Sequence, residues 1–166
     1  MKIAMIGSGG WGTAMVTSLA ARHDDLELYC RREEAARELN ETRENKEYLP
    51  GVRIPVHVKI TSDLEKAVSG ADCVVLSTPS KAVEITAEAM APFMKKNAVA
   101  VCASKGLADE AGHRLSEIIS EKFSSVTDRI VVLSGPNHAE EVGLGLPAAT
   151  CLLYTSPSPR DSTSSR

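Results

Sequence analysis

Gly7, Gly9 and Gly12 follow one another at spacings of two and three residues, directly behind the apolar run 2–6. Each glycine has a separate use. Gly7 permits a tight turn, Gly9 lets the backbone approach a pyrophosphate, and Gly12 lets a helix start against a sheet without an intervening side chain. The unpaired amides and positive dipole end of such a helix attract an anion. A glycine turn by itself says little. Here a strand-like run precedes it and an Ala- and Leu-bearing helical run follows, so the segment reads as a dinucleotide site.

Other groups with chemical potential stand behind later apolar runs. Arg31 and Arg32 follow the run 26–29, about 20 residues beyond Gly12, where NAD-selective domains place an Asp or Glu on the ribose 2′-hydroxyl. Two guanidinium forks there suit a 2′-phosphate instead and favour NADP(H). Glu33 and Glu34 are expected to compete for them, which keeps NAD in play; two solvated surface arginines are the alternative. Lys105, in Ala103-Ser-Lys-Gly106, offers a charge to a phosphate or a carbonyl oxygen, unless it is an inert surface lysine. In Ser134-Gly-Pro-Asn-His138, Gly135 and Pro136 make a turn and Asn137 is expected to cap a helix. His138 has general acid–base chemistry available, but its place near a helix start reads as structural. Glu140 and Glu141 serve the positive end of that helix.

The elements that must position these groups alternate. Residues 2–6, 26–29, 73–76, 98–102 and 130–133 read as strands. Residues 11–21, 33–39, 64–68, 83–90 and 115–123 carry apolar side chains at three- and four-residue spacing and read as helices. Ser62 or Asp63 is expected to cap the third helix and Ser80 the fourth. The alternation implies an α/β, Rossmann-like, doubly wound and mainly parallel sheet, whose ligands bind where loops leave the carboxyl ends of the strands.

Composition narrows the class. The chain has 166 residues, 43% hydrophobic and 25% charged, with aromatics at 4%, so its core must be built from Val, Ile, Leu and Ala. A net charge of −3 gives no support to nucleic-acid binding. No run approaches the ~20 apolar residues that span a bilayer, so membrane insertion is not expected. Of the four cysteines, Cys73 and Cys102 lie in apolar runs and read as small buried hydrophobes of a reducing, cytoplasmic compartment; no metal site is expected. The expected organisation is a dinucleotide-binding domain over residues 1–150 and a disordered tail over 151–166. The tail reads as translated adapter or vector sequence, since 155–166 holds no large apolar residue and is rich in Ser and Pro.

Four segments together carry a family resemblance: Gly7-Ser-Gly-Gly-Trp-Gly-Thr-Ala14, Asn40-Glu-Thr-Arg-Glu-Asn-Lys-Glu-Tyr-Leu-Pro-Gly51, Ala103-Ser-Lys-Gly-Leu107 and Leu133-Ser-Gly-Pro-Asn-His-Ala-Glu-Glu-Val142. They resemble the bacterial NAD(P)-dependent glycerol-3-phosphate dehydrogenases, over residues 1 to about 150. The resemblance implies that Gly10, Trp11, Arg31, Arg32 and Tyr48 face the dinucleotide. It places Lys105 at both cofactor and substrate, Gly135 and Asn137 at the glycerol phosphate, and Ala139 at the cofactor. The implied reaction is reversible hydride transfer between dihydroxyacetone phosphate and sn-glycerol 3-phosphate, for phospholipid synthesis, in a homodimeric parent enzyme. Gly10 and Asn137 stand where the family more often has serine. The family's main proton-transferring lysine and most phosphate ligands belong to a helical second domain, so the chain is expected to be a fragment, inactive alone. The alternatives are another Rossmann reductase (ketopantoate-reductase-like, or a hydroxyacid dehydrogenase) and a non-catalytic NADPH-binding module.

Replacing both Arg31 and Arg32 is expected to weaken NADPH far more than NADH in a fluorescence titration, each lost charge-assisted contact being worth roughly 1.5–3 kcal/mol. Equal losses for the two nucleotides would remove the 2′-phosphate assignment.

Overall fold

A computed structural model describes residues 1–108 and 112–154. Its centre is β1 (Ile3–Ile6), four residues buried without exception. Strands flanked in parallel on both sides lose both faces to packing, which is why this one is wholly apolar. β1 pairs in parallel with β2 (Leu26–Tyr29) and with β6 (Cys73–Leu76). Side chains alternate between faces: Ala4 and Ile6 enter one core, Ile3 and Met5 the other.

β5 (Lys59–Thr61), β7 (Val99–Cys102), β8 (Ile130–Ser134) and β9 (Cys151–Tyr154) complete a seven-stranded sheet in the order β5-β2-β1-β6-β7-β8-β9. Chain order runs outward from β1 in one direction and then from β6 in the other. The β1/β6 boundary is therefore the switch point, where an open α/β sheet leaves a crevice at its carboxyl edge. A separate antiparallel pair, β3 (Glu44–Asn45) and β4 (Leu49–Arg53), lies outside this sheet.

The helices cover both faces. α1 (Gly10–Leu19) buries the run from Gly12 to Val16. α2 (Glu33–Thr42) buries Ala36 and Leu39, one turn apart, and stops at Arg43 in the left-handed conformation. α3 (Leu64–Val68) is capped by Asp63, whose carboxylate accepts from the Lys66 amide at 3.0 Å. α4 (Ser80–Met90) buries Val83, Ala87 and Met90, the four- and three-residue spacing of one helical stripe. α5 (Leu115–Lys122) buries Leu115 and Ile119 and delivers Phe123 into the same core as α4. α6 (Ala139–Gly143) is short. Lys2 closes the opposite edge of the sheet: its ammonium pairs with the buried Glu27 at 3.1 Å and donates to the Lys66 and Ser69 carbonyls.

Three sequence expectations need correction here. Ser80 does not cap α4; it is the first helical residue, behind Pro79, whose fixed extended backbone turns the chain into the helix. Asn137 does not cap α6 either, since His138 holds that position and no side chain caps the helix. Nor does ordered structure end at residue 150. Cys151–Tyr154 pair antiparallel with β8, Ser134 facing Cys151 and Val131 facing Tyr154, because that edge still had open N–H and C=O groups to satisfy. The expected disorder and vector-like origin of 155–166 fall outside the described residues.

Cys102 is buried. Cys73 is half-buried, and burial next to Asp72 pushes its thiol up to about 11. A thiol so protonated near neutral pH is packing material and not a nucleophile. Among the described residues no helix is long and apolar enough to cross a membrane.

Phe123→Ala should cost about 3–5 kcal/mol, since Phe123 is wholly buried. Urea unfolding would show the loss as a lower midpoint at unchanged slope.

Candidate functional site

The crevice begins with a backbone contact. Gly7, at φ +116°, donates its amide to the Tyr29 carbonyl at 3.2 Å, and Ser77 Oγ donates back to the Ile6 and Gly7 carbonyls at 3.2 and 3.1 Å. A Cβ on Gly12 would lie 2.0 Å from the Gly7 carbonyl oxygen and 2.5 Å from Ser77 Oγ. Glycine is thus what lets α1 seat on the turn. Around Gly9 the opposite holds: a Cβ there would meet nothing within 4 Å. The α1 N-terminus has no side-chain cap and no acidic residue in its first turn, so its amides are left to the crevice.

The resulting cleft, about 910 Å³ in volume, gathers most of the residues singled out from sequence. Gly7, Gly9, Gly10, Trp11, Arg31, Arg32, Tyr48, Lys105, Asn137 and Ala139 all line it. Gly12 lies behind the turn and supports it from below. Gly135 is not brought into the cleft. Its φ is +152°, and a Cβ there would come 2.5 Å from the Ala149 carbonyl oxygen, so it packs against the approach to β9. His138 lines the rim and is exposed.

Lys105 reaches back over the opening. Its ammonium donates to the Asn137 carbonyl at 3.2 Å and stands 5.8 Å from the centre of the Trp11 ring, at the outer reach of a cation–π contact. One charge is thereby held between the strand exits of β7 and β8 and the start of α1. Asn137 is buried; its amide nitrogen donates to Thr150 Oγ1 at 3.3 Å, while its carbonyl oxygen Oδ1 has no partner. Thr78 Oγ1, also at the cleft, is likewise buried and unpartnered. Buried polar atoms without partners mark places where a ligand can supply the missing bond.

At the other end, Arg32 pairs with Glu47 at 3.3 Å. The expected competitors, Glu33 and Glu34, are instead absorbed in the first turn of α2, where their charge faces the helix dipole. The neighbouring Glu47 carboxylate raises the Tyr48 phenol above its ordinary pKa.

Asn45 is the residue that sequence reasoning passed over. Buried at 5% exposure, it donates from Nδ2 to the Ser8 carbonyl and to Thr13 Oγ1, both at 2.8 Å, and accepts from the Tyr48 amide at 3.2 Å. It thus ties the β3–β4 hairpin to the glycine turn. The hairpin sits so close that a Cβ on Gly10 would lie 2.7 Å from the Tyr48 carbonyl oxygen. The available signal was an amide side chain directly before a Lys-Glu-Tyr turn, but nothing in spacing says that it folds back 37 residues.

The chain matches the family model described as NAD-dependent glycerol-3-phosphate dehydrogenase N-terminus over residues 2–159. A glycerol-3-phosphate dehydrogenase [NAD(P)+] of Moorella thermoacetica is 50% identical over 146 residues, which are 88% of this chain and 43% of the relative. The Deinococcus radiodurans protein of the same description is 46% identical over 155 residues, 93% and 45% of the two chains. The crystal structure of glycerol-3-phosphate dehydrogenase from Coxiella burnetii superposes with a TM-score of 0.84 at 28% identity, covering 93% of this chain and 47% of that one. The chain therefore spans less than half the length of these relatives.

Asn45→Ala should destabilise by about 1–3 kcal/mol, because it strips partners from buried groups. Combined with Thr13→Val it should cost less than the sum of the two, as expected for members of one network; thermal melts of the three variants would measure the coupling.

Proposed function

From the premise that this chain belongs to the NAD-dependent glycerol-3-phosphate dehydrogenase family through its N-terminal region, we propose that it is the cofactor-binding part of an enzyme that interconverts dihydroxyacetone phosphate and sn-glycerol 3-phosphate. NADPH is the favoured dinucleotide, NADH the second, and the product serves phospholipid synthesis in the cytoplasm. The observation that carries this reading is the convergence, in one cleft, of the glycine turn, the Arg31-Arg32 pair and Lys105.

The residues present fit a nicotinamide dinucleotide. Open space above Gly9 admits a pyrophosphate, and the uncapped start of α1 offers amides without a nearby carboxylate. Arg31 and Arg32 lie at the adenosine end, beyond β2. When bound, the dinucleotide supplies the hydride. Lys105 then has the protein's part at the reacting end: its ammonium stabilises negative charge that develops on the substrate carbonyl oxygen, and the Asn137 carbonyl and Trp11 ring orient it. The unpartnered Asn137 Oδ1 and Thr78 Oγ1 are acceptors suited to hydroxyl groups. Closure around the substrate and the main proton transfer are assigned to a further domain of the parent enzyme.

The test is NADPH consumption with dihydroxyacetone phosphate, run on this chain and on a form extended to the length of its relatives. Nucleotide binding without turnover is expected of the first, and turnover of the second. In the extended form Lys105→Met should lower kcat on the order of 10²-fold with the fold intact. Unchanged kcat and KM would return Lys105 to the inert surface, and robust turnover by the short chain would sink the division of labour.

A further inference from the structure

The adenosine end of the cleft carries a charge arrangement that the arginine pair alone does not account for. Arg32 is the last residue before α2, and Glu47 sits in the turn between β3 and β4. Their side chains meet at 3.3 Å with 58% and 61% exposure. Both line the cleft. Glu44, another carboxylate of the same hairpin, is committed to the Gly51 amide at 2.9 Å, whereas Glu47 faces the arginine. The turn bearing Glu47 is not loosely placed, since Asn45 pins its base to Ser8 and Thr13 and accepts from the Tyr48 amide at its far end.

We propose that Glu47 sets the preference between NADPH and NADH by holding Arg32 as its counter-ion. A 2′-phosphate must take Arg32 away from Glu47 and then tolerate the freed carboxylate nearby. A free 2′-hydroxyl needs neither step, and can donate to the carboxylate, as it does to an acidic residue in NAD-selective domains. Position explains why this is not done by Glu33 or Glu34: they follow Arg32 in sequence but sit in the first turn of α2 and do not line the cleft. The inference rests on the cleft being the dinucleotide site.

Trp11 is the chain's one tryptophan and lines the cleft, so its emission reports nucleotide binding directly. NADPH and NADH are titrated into the unaltered chain and into Glu47→Gln. Removing an exposed ion pair is worth at most about 1 kcal/mol, so NADPH should tighten about three- to fivefold while NADH stays unchanged or weakens. In an Arg32→Gln background, Glu47→Gln should move the ratio less, because the part of its effect that runs through that arginine is gone and only the direct action of the carboxylate on the 2′ group remains. Asp25→Asn, which breaks the comparably exposed Lys59–Asp25 pair away from the cleft, should leave the ratio alone. If the unaltered chain binds neither nucleotide, the reading of the cleft falls and this inference falls with it. If it binds both and Glu47→Gln leaves their ratio unmoved, or moves it equally without Arg32, this inference alone is overturned.

Discussion

Everything at the carboxyl edge depends on one short-range repulsion that glycine avoids. The Gly12 Cα faces the Gly7 carbonyl so closely that one added carbon would stand 2.0 Å from its oxygen, well inside any permitted contact. With that carbon absent, α1 begins directly on the turn, and its first amides are carried to the mouth of the β1/β6 crevice. Ser77 completes the arrangement from the other side of the switch point by donating to the same carbonyl. A strand exit, a helix start and a hydroxyl just beyond β6, 70 residues away in sequence, thus meet at a single peptide group. The seating of α1 on the sheet follows from that meeting.

The residues most distant from this point are arranged around it by graded polarity. Apolar packing from two cores fixes the strands, while buried amides and hydroxyls fix the loops. Asn45 is the connection between the two sides of the cleft, because it bonds the glycine turn on one hand and the hairpin backbone on the other. Lys105 lies over Trp11 at one end and Arg32 against Glu47 at the other, and Glu38, Glu44 and Lys46 also stand along the lining. In the proposed function, Lys105 serves the reacting end of the dinucleotide and Arg32 the end that distinguishes one nucleotide from another.

Much of this was legible from sequence, for a physical reason. Wholly buried parallel strands must be short and apolar, so β2 and β6 stand out in the text with their observed bounds, and the glycine spacing announces the turn. The β3–β4 hairpin and β5 were not legible. β4 contains Pro50 and Gly51, which argue against a strand, and it persists because Leu49 and Val52 pack on α1 and α6. β5 is three residues long and owes its form to pairing with β2, a non-local cause. β9 was missed for a related reason: its ladder is supplied by the edge of β8. The partners of Arg32 were misread because proximity in sequence is not proximity in space, and α2 carries Glu33 and Glu34 into its own first turn. Most residues that the family resemblance singles out line the cleft, yet the resemblance does not separate Gly135, which supports a loop, from Asn137, which borders the opening.

The pairing of β1 with both β2 and β6 has a kinetic side. Ile3 faces Leu26 on one flank and Cys73 on the other, so one flank of the central strand closes over a short stretch of chain and the other over a stretch of 70 residues. During synthesis from the N-terminus, β1, α1 and β2 can associate early, but β1 then waits with an open edge until β6 emerges. The glycine turn lacks Ser77 for the same interval. Closing so long a loop carries an entropic penalty met before any contact repays it, which places completion of this proposed nucleotide cradle late in folding. A nucleotide that needs the finished cradle has no purchase on the earlier forms, and its binding energy acts on the assembled sheet alone.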